Sequence, residues 1–437
     1  MNIIFFAIVL IAFVSAGWRE IYWSPGSGEL SPMEGLSSAM VDSATGSVEL
    51  AMGLVGVMTL FLGLMKVAEA GGMLAILARL IRPLMVKLFP QVPPDHPAMG
   101  SMILNMSANA LGLGNAATPF GIRAMQELDK LNTQRGTATD SMALFLAINT
   151  SNVTILPTGV MAIRAAAGSV DPAGILPTTL FATICSTIVA ILAAKVYGRM
   201  PIFRKTRPEE IPNIEEAPNE ETIENTEGEK EAILDSSGSY PPWITWLAVT
   251  ALFSLIPVTI FHGKILSPWI IPGLMLGFLT FGIIRKVPIY EVFVEGAKEG
   301  FQVAIRIIPY LVAILVAVGM FRASGAMDVM VNLLGPLTGK LGMPAEALPM
   351  ALLRPLSGSG AYGIMASIIN DPSVGPDSYT GYLVSTLQGS TETTFYVLAV
   401  YFGAVQVKKI RHALVAALTG DLAGIIAAIV ACSFLYN

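Results

Sequence analysis

Nine apolar runs of this chain, residues 2–17, 48–68, 141–163, 174–197, 243–262, 267–284, 301–321, 383–406 and 413–435, approach or reach the length of a bilayer-crossing helix. The hydrocarbon core is about 30 Å thick and takes about 20 helical residues. Charged residues make up 13% of the 437, against about 25% in soluble domains, and the mean hydropathy is +0.66. The chain therefore reads as an all-α polytopic membrane protein. Its first run ends in Val14-Ser15-Ala16, like a signal peptide, but no positive residue precedes it, so a retained first span is expected.

Two further stretches, about 98–126 and 348–370, are apolar at both ends and rich in Gly, Ser, Asn and Pro between. That composition predicts a helical hairpin entering and leaving the membrane on one side, since its turn needs glycine and its backbone must be shielded from lipid. Segment 206–240 is acidic, poor in large apolar residues and broken by Pro and Gly. It reads as a disordered linker. On either side of it the same order recurs: an apolar helix, an amphipathic stretch (Gly63–Met73, Gly319–Met327), a hairpin core (Leu111–Phe120, Leu356–Gly363), a polar span (Asn149–Thr154, Gln388–Thr394) and a final span. The divisions expected are 1–47 for the first span and its loop, 48–200 for one repeat, 201–242 for the linker, and 243–437 for a second repeat with two leading spans.

Charge predicts how the repeats are oriented. With re-entrant hairpins, five crossings separate residue 48 from residue 301, which inverts one half relative to the other. One face then collects Arg79, Arg82, Lys87, Arg123, Arg199, Lys205, Arg285, Lys408 and others, while the opposite face receives Arg19, Arg164, Lys264, Arg322 and Lys340. Positive residues stay inside. The amino terminus and the linker are therefore expected in the cytoplasm, and the carboxyl terminus outside.

Several function classes fall away. No basic face suits nucleic acid. His96, His262 and His412 lie far apart without metal-ligand spacing, and no Walker A, HExxH or nucleophile-elbow pattern occurs. Leu111-Gly-Leu-Gly-Asn echoes a dinucleotide fingerprint, but no strand precedes it. No catalytic residue, metal or cofactor is expected, and the chain does not read as an enzyme. Cys185 and Cys432 sit in apolar runs and read as small packing residues.

What remains is polarity at membrane depth. Non-helical backbone survives there only inside protein or against a water-filled cavity, and broken helices present their end charges to a solute. The hairpin turns, with Gly112, Gly114, Gly358 and Gly360, would bring in Asn115, Thr118, Ser357 and Ser359. The polar spans would supply Asn149, Ser151 and Asn152, before a break at Pro157, and then Gln388, Ser390 and Glu392. Glu392 is a carboxylate in an apolar run, so it should be paired, protonated or functional; Arg354 is its candidate partner, and either could serve coupling. The plainer alternatives are glycine used for close helix packing and side chains that merely hold helices together. Lys66, Glu69, Arg306 and Asp421 fall near expected span ends and read as interfacial.

Gly114-Asn-Ala-Ala-Thr-Pro-Phe-Gly-Ile-Arg-Ala-Met125, Ile148-Asn-Thr-Ser-Asn152 and Leu156-Pro-Thr158 resemble bacterial spore maturation protein A. Ile308-Pro-Tyr-Leu311, Phe321-Arg-Ala-Ser-Gly-Ala326, Leu353-Arg-Pro-Leu-Ser-Gly-Ser-Gly-Ala361 and Gln388-Gly-Ser-Thr-Glu-Thr-Thr-Phe-Tyr396 resemble spore maturation protein B. The chain is similar to a fusion of the two, within the nucleoside-recognition or gate-domain proteins. That resemblance implies a transport fold, two inverted gate-type repeats and a bacterial inner membrane. The expected function is a transporter or permease for a small polar solute, nucleoside-like or another metabolite, with proton or cation coupling open. A non-transporting factor in envelope or spore maturation, and an ion channel, are the alternatives. The expected partners are the solute and the lipid bilayer, with a homo-oligomer left open.

Overall fold

The computed structural model describes residues 2–24, 30–208 and 240–436. It is 77% helical, without a strand among the described residues. The expected linker lies outside that description except for residues 206–208 and 240. A first helix, α1 (Asn2–Ile21), precedes the first repeat.

That repeat begins with α2 (Pro32–Ala70), whose start is fixed by Ser31 and Glu34 in a reciprocal capping box. At Gly71-Gly72 the chain turns through 69° into α3 (Met73–Leu88). Gly72 has φ +84°, a conformation that favours glycine. A hairpin follows, α4 (Pro97–Ala110) and α5 (Gly114–Lys130), then a helix broken into α6 (Asp140–Thr150) and α7 (Thr158–Ala166), and then α8 (Leu176–Arg199). The short α9 (Pro201–Arg204) ends this half.

The second half opens with α10 (Pro242–Ile284) and repeats the order. Long helix α11 (Ile289–Ala323) turns at Ser324-Gly325, with Gly325 at φ +76°, into α12 (Ala326–Thr338). The hairpin is α13 (Leu348–Leu353) and α14 (Gly358–Ile369), the broken helix α15 (Tyr379–Ser390) and α16 (Thr394–Ala404), and the last helix α17 (Ala413–Tyr436).

The nine apolar runs form both continuous and broken helices. Among the described residues, α8 and α17 are each long and apolar enough to cross a membrane, and the bent pair α2–α3 adds a third if counted as one span. The runs 141–163 and 383–406 are each interrupted, at 151–157 and 391–393. In the opposite sense, 243–262 and 267–284 are joined in one helical run of 43 residues. If straight, it would be about 64 Å long. Yet Thr245 Oγ1 donates to the Leu80 carbonyl at 2.8 Å and Arg285 Nε to the Gly71 carbonyl at 2.7 Å. Those carbonyls are nine residues apart, about 14 Å along a helix. The run therefore doubles back, with no coil between its arms.

Corresponding helices of the two halves pair antiparallel. Along α2 and α11, Gly63 meets Phe293, Lys66 meets Gly296, Met58 meets Gly300 and Ser43 meets Gly319. A Cβ at Gly296 would lie 2.5 Å from Lys66 Cβ, and one at Gly300 would lie 2.8 Å from the Met58 carbonyl oxygen, so these small residues permit the close crossing. Along α8 and α17, the Tyr436 hydroxyl donates to the Gly174 carbonyl, Ser186 Oγ donates to the Gly420 carbonyl at 2.8 Å, and Gly198 approaches His412. In reciprocal fashion, α6 packs on α17 and α15 on α8. That is the pattern of a two-fold relation between halves. Both large buried clusters draw on both halves: one joins Met99, Phe145 and Phe402, the other Phe61, Met161 and Met365.

Candidate functional site

The two breaks meet. Glu392 N–H donates to the Thr150 carbonyl at 2.8 Å, joining the second break to the end of α6. Each break is also tied by its backbone to the hairpin turn of its own half: Ile155 N–H to the Ala110 carbonyl at 3.0 Å, and Phe395 N–H to the Pro355 carbonyl at 3.1 Å. Helix ends leave orphan donors and acceptors. Here the starts of α5, α7, α14 and α16 and the ends of α6 and α15 come to one region, supplying partial positive and negative charge.

The first hairpin is held by asparagines. Asn105 Nδ2 donates to the Ala117 carbonyl at 2.7 Å and to the Tyr401 hydroxyl at 3.1 Å. Asn149 Oδ1 accepts from Asn109 Nδ2 at 3.0 Å and from the Tyr401 hydroxyl at 3.4 Å, while its own Nδ2 donates to the Phe145 carbonyl at 3.0 Å. Ser151 Oγ donates to the Ala147 carbonyl at 2.8 Å, and Asn152 Oδ1 accepts from Thr154 at 3.0 Å. Thr118 is half-buried in the first turn of α5, and the side chain of Asn115 lies outside the described residues.

At the second break Arg354, 6% exposed, reaches out of the hairpin turn. Its Nη2 donates to the Thr391 carbonyl and its Nη1 to Thr393 Oγ1 at 3.2 Å, and Nη2 lies 3.7 Å from Glu392 Oε2. The Glu392 side chain is 47% exposed, so this carboxylate opens onto space while its partner is buried. Ser357 Oγ accepts from Gly360 N–H at 3.1 Å and caps α14; Ser359 is half-buried beside it. Ser390 Oγ donates to the Leu387 carbonyl at 2.9 Å. Gln388 differs from all of these. It is 2% exposed, and neither its amide oxygen nor its nitrogen makes a hydrogen bond of good geometry among the described residues, the Tyr362 hydroxyl being its polar neighbour.

Two expectations need correction. The turn of the first hairpin is Leu111-Gly112-Leu113, and Gly112 alone among the four candidate glycines has a positive φ, +77°. Gly114, Gly358 and Gly360 already belong to helices. Gly358 serves close approach, since a Cβ there would lie 2.8 Å from Thr393 Oγ1. Asp421 is not interfacial: it is 3% exposed, in the second turn or beyond of α17, and its Oδ2 accepts from Thr394 Oγ1 at 2.7 Å. An open cleft of about 470 Å³ lies away from the breaks, lined by Arg322, Asp328, Glu346 and Asp371.

The sequence reading also missed Arg164, Asn105 and Tyr401. Arg164 is fully buried, donates to the Pro376 carbonyl at 2.6 Å, pairs with Asp377 at 3.0 Å and lies 4.3 Å from the Tyr382 ring. At the other end of the broken helices, Arg411 pairs with Asp140 at 2.8 Å and Arg207 pairs with the same carboxylate at 3.0 Å. Beside them burial, and then the Arg411 charge, push His412 down to about 4. A basic residue directly beyond each broken segment was the available signal.

Residues 51–167 and 304–408 match the model of a family described as "Gate: Nucleoside recognition". The chain is 50% identical over 172 residues to spore maturation protein B of Bacillus subtilis (strain 168), covering 39% of this chain and 96% of that one. It is 45% identical over 165 residues to spore maturation protein A of the same organism, 38% and 84% of the respective lengths. Among solved structures it aligns with CNTnw in an inward-facing substrate-bound state, at 14% identity and a TM-score of 0.44 over 98% of this chain and 90% of that one. It also aligns with the YdaH transporter of Alcanivorax borkumensis, at 14% identity and a TM-score of 0.40 over 98% and 97%.

Proposed function

The chain belongs to the nucleoside-recognition gate family, and on that premise we propose that it carries a small polar solute, nucleoside-like or another metabolite, across the bacterial cytoplasmic membrane as a secondary transporter or permease. The solute binds where the two breaks and the two hairpin turns meet. The observation that carries this reading is the Gln388 amide. A buried polar group without a good partner costs about 1–3 kcal/mol, and an amide approached only by the Tyr362 hydroxyl beside broken helix ends is complementary to a polar ring or amide. Asn152, Thr118, Ser359 and Glu392 complete the candidate ligand set, while Asn149, Ser151, Ser357 and Ser390 support the backbone around it. Asn115 is included on sequence grounds, with Gly112, Gly114, Gly358 and Gly360 allowing the turns and close approaches.

The same reading orients the molecule. Arg207, at the start of the linker, shares Asp140 with Arg411, two residues before α17 begins, and Tyr436 lies at its last turn. Those ends are 24 residues apart, about 36 Å, which exceeds a hydrocarbon core. The basic end is placed in the cytoplasm by the positive-inside rule. A second reading, a non-transporting membrane factor, is favoured by the names of the Bacillus relatives.

The test reconstitutes the full chain in liposomes and measures uptake of a labelled nucleoside panel, beside metabolite profiling of a deletion strain. Wild type is expected to move one class of solute. Gln388→Met should fold as well as wild type, because it keeps the side chain's length and removes a poorly satisfied amide with the Tyr362 hydroxyl as its polar neighbour, and should lose uptake at least tenfold. Equal uptake by both proteins would remove Gln388 from the site, and no movement of any solute together with an unchanged metabolite profile would favour the membrane factor.

A further inference from the structure

Asp421 has no part in the solute site and nothing assigns it a role. It stands on α17, the helix that packs along α8 at Gly420 and Gly424. A Cβ at Gly420 would touch Ala190 and Ser151, and one at Gly424 would touch Thr391 and Ser186. The helix on which Asp421 stands is thus wedged between α8, the end of α6 and the second break, and the carboxyl group itself meets the start of α16. It is 3% exposed; Oδ2 accepts from Thr394 Oγ1 at 2.7 Å and Oδ1 has no partner among the described residues.

The surrounding groups decide which form can sit there. From α16 comes the Thr394 hydroxyl, from α8 the Ser186 hydroxyl, which is already given to the Gly420 carbonyl, and from α6 Ser151, which is bonded to Ala147. Among the described residues the cation whose charge acts on Asp421 is Arg354, and it is already engaged by Thr391, Thr393 and Glu392. No salt bridge to Asp421 is present among the described residues. A buried carboxylate without a paired cation costs several kcal/mol, whereas a carboxylic acid needs only ordinary hydrogen bonds. The open, buried Oδ1 is where a compensating proton must go.

We propose that Asp421 is a proton-binding site built into the last helix, which biases the Arg354–Glu392 pair at the second break. With a proton on Oδ1 the carboxyl is neutral and Arg354 stays with Glu392. When the proton leaves to water, a second anion enters the field of Arg354 and competes with Glu392 for it. Arg354 holds the Thr391 carbonyl and the Thr393 hydroxyl, so the competition pulls on the break itself. The step from there to solute movement rests on the transport reading above; the proton site does not.

Infrared difference spectra of the purified full chain in lipid, stepped from mildly acidic to alkaline buffer without any solute, test it. The expected result is loss of a carboxylic-acid carbonyl band that shifts when aspartate carries carbon-13. The band is expected to be missing in Asp421→Asn and kept in Glu392→Gln. The same step should move a guanidinium band of labelled arginine in wild type and leave it still in Asp421→Asn. Should the variant fail to fold, the isotope shift in the unsubstituted protein still decides, and Asp421→Glu should transfer the band to the glutamate label. A band that ignores the aspartate label, or that survives in Asp421→Asn, overturns the site. A titrating band with an unmoved guanidinium overturns the bias. Because no solute is present, failure to find transport would leave these outcomes unchanged.

Discussion

Arg354 serves three acceptors at the second break, and its neighbour Glu392 is the half of that pair which faces open space. Their substitutions should therefore fail differently. Glu392→Gln keeps size and hydrogen bonding, leaves Arg354 with Thr391 and Thr393, and is expected to reach the membrane at wild-type level while losing solute uptake; normal level with normal uptake would remove it from the site. Arg354→Leu strands the Thr391 carbonyl, costs about 1–3 kcal/mol, and should lower protein level, read by detergent-extracted yield. Glu392 was legible in the sequence because a carboxylate within an apolar run needs a physical reason. Asp421 carried the same signal and was misread as interfacial, although the expected run 413–435 matches α17 to within a residue; its burial comes from packing against other helices, which sequence does not show. Gln388 was legible as polar but not as poorly satisfied, which only the surrounding fold determines.

At the level of elements, the hairpins and broken helices could be read from glycine, proline and polar residues inside apolar runs, and the turns at Gly72 and Gly325 fall within the amphipathic stretches that repeat. The role of each glycine could not. Gly112 combines φ +77° with a Cβ position 2.6 Å from the Leu156 carbonyl oxygen, whereas Gly168 has the same φ with nothing within 4 Å. A left-handed alanine costs about 1–2 kcal/mol, so Gly168→Ala should lose only that amount. Gly112→Ala must in addition push the hairpin turn off the first break, and a clearly larger fall in melting temperature is expected; equal losses would show that the turn does not press on the break. The doubled-back α10 was read as two spans, because the sequence places Pro257, Gly263, Pro268 and Gly273 where its arms divide; it has two arms, joined without an intervening coil.

For the molecule as a whole, cysteine labelling at residues 2, 220 and 437 is expected to place the first two in the cytoplasm and the third outside. Labels at 220 and 437 on the same side would refute the arrangement, since α17 separates them. The chain's two-part plan was legible because the order of polar and apolar segments recurs; the antiparallel pairing was not, since it depends on contacts between residues such as Gly63 and Phe293 that no local pattern links. Neither half encloses a core of its own: Met99 and Phe145 are buried with Phe402, and Phe61 and Met161 with Met365. Severed within 209–239 and produced together, the halves should reassemble and recover uptake, provided that they are made in equal amounts. A surplus of either would expose the long apolar faces meant for the other and would be expected to be degraded. In one polypeptide that surplus cannot arise, because each chain carries one copy of each half, and a covalent connection also raises the effective concentration of one for the other. A single chain thus sets a one-to-one dose that two separate messages would have to balance by regulation.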